Sequence, residues 1–296
     1  MNFRTDLALE CHEYAAKKHI EGVTVEKKSV DEVRITTITV ENEKGERALG
    51  KPKGRYITLE IAPLTKNSDL FSAPLTVLCD EIRRLIPEKG SVLVAGLGND
   101  KITPDALGPR CVSFLLATRH LDKEFAKSIG FERLRSVSAL VPGVLGQTGI
   151  ETAEIIRGVV SNTKPDAVIV VDALASRNTH RLGATVQMTD TGVSPGSGVG
   201  NRRSEISRKT LGVPVIAIGV PTVVDGATLA MDLIERAGVS QDVRGRIDSV
   251  MKNAAMMVTP KEIDNMIDRA ARLVAMGINT ALQPDIPAED ILAIVS

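Results

Sequence analysis

Three stretches of this chain are apolar almost from end to end: SVLVAG (91–96), DAVIVVDAL (166–174) and VPVIAIGV (213–220). A strand that reads as a near-continuous run of Val, Ile and Ala, rather than alternating with polar residues, has both faces covered, as in the parallel sheets of α/β proteins. SVSALV (136–141) reads as a further strand. Segments of helical period fall between the strands: PLTVLCDEIRRLI (74–86), ALGPRCVSFLLATRHL (106–121), ETAEIIRGVV (151–160) and GATLAMDLIERAG (226–238). The alternation predicts an α/β fold of phosphorylase/hydrolase-like type, a mostly parallel sheet with helices on both faces.

VRITTITV (33–40) and RYITLEI (55–61) are rich in β-branched residues and are joined by the Gly- and Pro-containing ENEKGERALGKPKG, which predicts a β-hairpin extension over 33–63. ATVQMT (184–189) reads as an antiparallel or edge strand, and Asp6 to His19 as helical. Helices are expected over 240–296, in QDVRGRIDSVMKNAAM and in PKEIDNMIDRAARLVAMGINTAL, with Pro260 in the first turn of the second. No repeat or linker divides the chain, so residues 1–296 are expected to form a single domain.

Composition narrows the function classes. Hydrophobic residues make up 43% of the 296, enough for a real core, but aromatics only 2%, so the stacking platforms of single-strand nucleic-acid binders are not expected. With 37 basic and 37 acidic residues, no global field draws the chain to nucleic acid or to an anionic membrane. Cys11, Cys79 and Cys111 fall in no CxxC spacing, and His12, His19, His120 and His180 form neither HxxxH nor HExxH, so neither a disulfide framework nor a zinc site is expected. The start, MNFRTDLALE, has no apolar signal core, and no apolar run reaches the roughly 20 residues of a membrane span. The expected setting is cytoplasmic, with no cofactor.

In an open parallel sheet, ligands sit beyond the carboxyl ends of the strands. Here those ends feed GLGNDKITPDALGP, PGVLGQTGIE, DALASRNTHR, DTGVSPGSGVGNRR and PTVVDGA. So much loop glycine suits backbone passing close to a substrate, although tight turns alone also use it. GLGNDK lacks the third glycine of a dinucleotide turn, with Lys101 in its place, and presents Asp100 and Asp105 where a phosphate would want positive charge. Asp172 ends an apolar run, where partial burial raises a carboxyl pKa. Local sequence leaves Asp105 open as a helix cap, Asp172 as a structural acid paired with Arg177 or Arg181, and Asp100 as a solvated alternative. Two neighbouring carboxylates can share one proton, one pulling on water while the other donates, which hydrolyses amides without a metal. SPGSGVGNRR (194–203) can present backbone N–H groups to an anion or a peptide carbonyl, but it is not a Walker loop. Arg202 and Arg203 read as a solvated helix start.

RTDLALE, GRYITLE, GLGN with TPDALGP and TRHL, VPGVLGQTGIET, VVDALASR, SPGSGVGNRR, LGVPVIAIGVPTVVD and MVTPKEID, in that order, resemble the germination protease family of spore-forming bacteria. The likeness runs from residue 4 to about residue 282. It implies a fold similar to hydrogenase-maturation endopeptidases, cleavage of small acid-soluble spore proteins in the spore core during germination, and a homotetramer made as a zymogen. The family's two catalytic aspartates match Asp105 and Asp172, which decides between Asp105 and Asp100. Its self-cleavage point maps to Asp6–Leu7, and its substrates are implied to be cut after an acid and before an apolar residue followed by Ala, the order of TD|LALE. The six residues before that point would be a short propeptide. Asn99, Gly143, Gly146, Gly196 and Gly198 are the expected substrate-binding positions. GLGN followed by TRH (118–120) also echoes peptidyl-tRNA hydrolases, but the zero net charge argues against an RNA-binding face. A metal-dependent maturation peptidase would need His and carboxylate ligands gathered at the crevice, and a nucleotide-binding module would bind ATP or NAD.

Overall fold

The computed structural model describes residues 4–15, 20–65, 73–122, 124, 134–200, 203–237 and 256–295. Its centre is a nine-stranded sheet. In chain order the strands are β1 (Val23–Val30), β2 (Val33–Val40), β3 (Gly54–Glu60), β4 (Val92–Gly96), β5 (Val137–Leu140), β6 (Ala167–Ser176), β7 (Thr185–Thr189), β8 (Val215–Asp225) and β9 (Met257–Val258). They lie side by side as β1-β2-β3-β7-β8-β6-β4-β5, with β9 against the end of β8.

The sheet is mixed, which corrects the expectation of a mostly parallel one. Only the pairings β5/β4, β4/β6 and β6/β8 are parallel. The pairings β1/β2, β2/β3, β3/β7, β7/β8 and β8/β9 are antiparallel. The cause is β7: rather than closing an edge, it pairs β8 on one side and β3 on the other. The hairpin of 33–63 is thereby stitched into the main sheet instead of standing off it. Its connection is not an irregular loop. Helix α2 (Glu43–Leu49) fills it, capped by the Asn42 side chain, which accepts from the N–H groups of Lys44 and Gly45, and ended by Gly50 at φ 65°.

Helices cover both faces, as expected. Along β6 the side chains alternate. Ala167, Ile169 and Val171 join the core under α3 (Ala73–Leu85), α4 (Leu107–Ser113) and the long helix α9 (Ile263–Leu282). Val168 and Val170 face the other way, against Ile156 and Val160 of α6 (Thr152–Thr163) and Leu211 of α7 (Arg208–Leu211). Helix α1 (Ala8–Ala15) packs with α2 over the hairpin strands. A single turn, α5 (Leu145–Thr148), precedes α6, α8 (Gly226–Arg236) follows β8, and α10 (Ala288–Val295) closes the described chain. Two helices differ from expectation. α4 stops at Ser113 rather than continuing to 121, and α9 starts at Ile263, so Pro260 precedes it. The helix expected in QDVRGRIDSVMKNAAM lies outside the described residues except for Met256. No helix among the described residues is long and apolar enough to cross a membrane.

The site is positioned by one tight crossing. A Cβ on Gly108 of α4 would lie 2.3 Å from the Leu97 carbonyl oxygen and 2.6 Å from that of Val171; one on Gly96 would lie 2.2 Å from the Gly108 carbonyl oxygen. Helix α4 therefore rests backbone-to-backbone on the ends of β4 and β6. In an ordinary helix interior Gly→Ala stabilises by about 1 kcal/mol. Here the added methyl has no room, and overpacking costs about 1–3 kcal/mol. Gly108→Ala is predicted to lower the urea midpoint at unchanged m-value. A midpoint above the parent's would show that α4 can lift away freely.

Candidate active site

Strand β6 carries Asp172 past the apolar core to the carboxyl edge of the sheet, where it is 7% exposed. Strand β4 ends one strand over, and the Leu97 N–H donates to the Val171 carbonyl at 2.8 Å, so the following turn begins against β6. Gly98 takes φ 111°, and a Cβ there would fall 2.0 Å from the Asp105 carbonyl oxygen. The turn thus folds back on the 3₁₀ segment Thr103–Asp105. The Asn99 N–H donates to Asp105 Oδ2 at 2.8 Å, and the Thr222 hydroxyl on β8 donates to the Pro104 carbonyl at 2.7 Å. Asp105 and Asp172 line one cavity of about 500 Å³.

Burial pushes both carboxyls up. For Asp105 the Asn99 N–H partly opposes it. Asp172 rises well above the ordinary carboxylate range, from burial first and then from the charges of Asp105 and Asp6, with the Ala173 backbone hydrogen bond in opposition. The arginines proposed as structural partners go elsewhere. Arg177 pairs with Asp232 at 3.3 Å, and Arg181 reaches Glu10, Glu13 and Glu60. Asp100 is exposed; its carboxylate accepts from the Gln147 amide, and it lines neither the cavity of the two aspartates nor the smaller one beside it.

The chain's own N-terminal segment lies in this site. Asp6 lines the cavity that holds the two aspartates and also the smaller one, of about 380 Å³, that Asp172 shares. The Asp6 N–H donates to the Ala175 carbonyl at 2.9 Å, so the segment runs along the end of β6. The Asp6 carboxylate accepts from the Ala175 N–H at 2.8 Å and the Ser197 hydroxyl at 3.0 Å. A Cβ on Gly198 would fall 2.1 Å from Asp6 Oδ2, so only glycine leaves room for that carboxylate. The Asp6 carbonyl accepts from Lys51 Nζ at 2.8 Å and Gln187 Nε2 at 3.1 Å, while Gln187 Oε1 accepts from the Ala8 N–H at 2.7 Å. Leu7 is fully buried. Glu10, buried on α1, anchors the first turn of that helix by accepting from the N–H groups of Arg177 and Asn178. On the other side the Arg4 N–H donates to the Thr228 hydroxyl, and the Arg4 side chain pairs with Asp225 at 3.3 Å.

Of the expected substrate positions, Asn99, Gly146 and Gly196 line the larger cavity. Gly198 makes space for Asp6. Gly143 lines neither cavity; its carbonyl accepts from the Thr152 hydroxyl and so fixes the start of α6. Arg203 lines the larger cavity instead of opening a helix, and Arg202 lies outside the described residues. Among the described residues no group of three or more His, Cys, Asp or Glu side chains is arranged to hold a metal ion.

Residues 5–237 match the family model described as germination protease. The chain belongs to the germination protease family. The germination protease of Caldanaerobacter subterraneus subsp. tengcongensis is 46% identical, covering 98% of this chain and 97% of that protein. That of a Clostridium perfringens strain is 42% identical with 98% of each covered, and that of a Geobacillus strain 37% identical with 97% and 95% covered. A solved NiFe hydrogenase maturation protease, HycI from Thermococcus kodakarensis KOD1, aligns at 18% identity and a TM-score of 0.33, over 59% of this chain and 96% of that one.

Lys51 and Gln187, which reach into the site of this germination protease family member, were not singled out by sequence reasoning. Gln187 left one signal, a lone amide at an alternate position of an otherwise apolar and β-branched strand; Lys51 left none.

The Asp172 environment also predicts a pH-dependent stability. A carboxyl raised in the fold binds its proton more tightly folded than unfolded. Its contribution is full below the ordinary value of 3.8 and is lost as pH rises through the raised one. Asp172→Asn, uncharged throughout, should therefore melt above the parent at neutral pH, with the gap closing as pH falls toward 3.8. A gap independent of pH would show that the carboxyl is not strained by burial.

Proposed function

We propose that this germination protease family member is an endopeptidase that cuts small acid-soluble spore proteins during germination, with Asp105 and Asp172 as a general acid–base pair. The observation that carries the reading is the convergence of two carboxyls from separate strand ends, Asp172 buried and Asp105 part-buried, on one cavity that also contains Asp6 of the same chain. Asp172, the more strongly raised, holds the proton; Asp105, stabilised as an anion by the Asn99 N–H, takes a proton from water. The water oxygen bonds to the peptide carbonyl carbon and the carbonyl π pair moves onto its oxygen. Collapse then expels the amine, which leaves with the proton from Asp172. The two groups titrate as a pair, and the proton gained by Asp105 restores the starting state.

The same site supports self-cleavage at Asp6–Leu7, with residues 1–6 as a short propeptide of which Thr5 and Asp6 lie in the groove. The Ala175 N–H, the Ser197 hydroxyl and the space over Gly198 suit an acid before the cut bond, and the burial of Leu7 suits an apolar residue after it. No metal or cofactor enters this reading. The homotetramer and the spore-core setting come from the resemblance and are part of the proposal.

Asp105→Asn and Asp172→Asn are each predicted to fold and to lose about 10²–10⁴-fold in cleavage rate, the usual contribution of a positioned acid or base. Mass spectrometry of the purified chain, alone and mixed with a small acid-soluble spore protein, reads both the self-cut and the substrate cut. Near-parental cutting by either variant would end the two-aspartate assignment.

A further inference from the structure

Strand register places three residues in one row. Asp172 on β6 pairs with Gly219 on β8, and Gly219 pairs with Gln187 on β7. All three belong to the face of Val168, Val170, Val215 and Ala217, because Val170 and Val168, two and four residues before Asp172, pair with Ala217 and Val215. With strands ~4.8 Å apart, the row spans about 10 Å, and its middle member has no side chain. The result is a trough floored by Gly219 and walled by Asp172 and Gln187, all of which line the smaller cavity together with Asp6 and Lys51. Thr5 and Asp6, just before α1, lie in it. Gln187 holds the chain on either side of Leu7, donating to the Asp6 carbonyl and accepting from the Ala8 N–H.

We propose that Lys51 and Gln187 are catalytic residues forming the oxyanion hole, polarising the carbonyl of the bond to be cut and holding the negative charge that develops on its oxygen. The proposal rests on the peptidase reading above, in which Asp6–Leu7 sits where a substrate bond sits. Two side-chain donors converge on the Asp6 carbonyl oxygen, at 2.8 Å from Lys51 Nζ and 3.1 Å from Gln187 Nε2. These are the distances from which donors stabilise a tetrahedral oxyanion. One donor is cationic, on a half-buried side chain, where charge-assisted hydrogen bonds strengthen most as the acceptor becomes an anion. As water adds to the carbonyl carbon, the π pair becomes a full charge on the oxygen between the Lys51 ammonium and the Gln187 amide. When the carbon–nitrogen bond breaks, that pair returns to the carbonyl and the charge disappears. Neither donor transfers a proton. The two aspartates are thereby left with the water and the leaving amine, and the carbonyl is served from the opposite wall of the trough.

The arrangement also separates two recognition tasks. The Asp6 carboxylate is met by neutral donors, whereas the only one of these contacts made by a cation is to the carbonyl. A lysine placed to read the acid would touch the carboxylate; Lys51 touches the atom at which charge appears during reaction.

The test uses the full chain, after whatever self-cleavage it undergoes, acting on a quenched fluorescent peptide spanning residues 2–12 of its own sequence. Lys51→Met is expected to lose about 10²–10³-fold in kcat with KM within about threefold of the parent, since the contact strengthens only in the transition state. Melting temperature is measured alongside. Should Lys51→Met melt early, Lys51→Gln, which keeps a neutral donor, replaces it, with an expected kcat loss of about tenfold. Parental kcat in the well-folded variant, or a loss appearing wholly in KM, overturns the proposal. Asp172→Asn runs as the control. If the parent does not cleave, or Asp172→Asn cleaves as well as the parent, the peptidase reading itself falls. If Asp172→Asn is inactive while the lysine variant turns over normally, only the oxyanion hole falls.

Discussion

Everything at the carboxyl edge of this sheet depends on backbone meeting backbone where α4 crosses β4 and β6. Gly96, Gly98 and Gly108 are not interchangeable turn residues. Each stands where a Cβ would run into a carbonyl oxygen at 2.0–2.3 Å. Their missing side chains allow the turn after β4 to fold down until Asp105 opens into the cavity that Asp172 lines. The glycines that first read as half of a nucleotide-binding turn therefore serve a different end. They bring a carboxylate close to another carboxylate, an arrangement that a phosphate site would exclude.

That closeness has an energetic cost, and the structure concentrates it on Asp172. Burial, Asp105 and Asp6 all oppose its ionisation, and one backbone hydrogen bond favours it. Such an imbalance is tolerated in a fold only if something else over-determines the geometry. Here that is β6 itself, whose Ala167–Val171 run is fully buried between two helical layers. Asp105 is relieved in part by the Asn99 N–H. The two acids are chemically identical in sequence and different in place, and this difference raises Asp172 further than Asp105.

The parallel centre was legible because strands covered on both faces have to be apolar throughout; β4, β6 and β8 show this directly. The burial of Asp172 was legible for a related reason, since a carboxylate terminating such a run stands out against it; Asp105 does not end one, and local sequence left it open beside Asp100. β1 was not. Val23–Val30 contains Glu26, Lys27 and Lys28 and is exposed along most of its length. An edge strand defended by charge resembles a loop in one dimension. β7 was read as a strand but not as a bridge, because nothing in TVQMT says that β3 and β8 will lie on either side of it. The helix α2 hid behind glycine and proline, although Asn42 and Gly50 are ordinary caps once its ends are known. Lys51 left no signal and Gln187 only its lone amide, for the same reason as the bridge: they meet at the Asp6 carbonyl only after β7 has brought the hairpin connection to the edge of the parallel strands.

This joining of two sheet regions is also what gives the trough its two unlike walls. The wall from β6 belongs to the α/β centre and carries Asp172. The wall from β7 and the α2 connection belongs to the antiparallel part and carries donors, Gln187 and Lys51. A purely parallel sheet would have offered the first wall alone, since strand ends supply loops on one edge and no facing row of inward side chains. Placing β7 antiparallel beside β8 sets Gln187 level with Asp172 across a glycine, so that an extended peptide laid along the trough meets acid on one side and hydrogen-bond donors on the other. The mixed topology that departs from the sequence expectation is therefore what gives buried Asp172 a facing wall whose donors hold the Asp6 carbonyl.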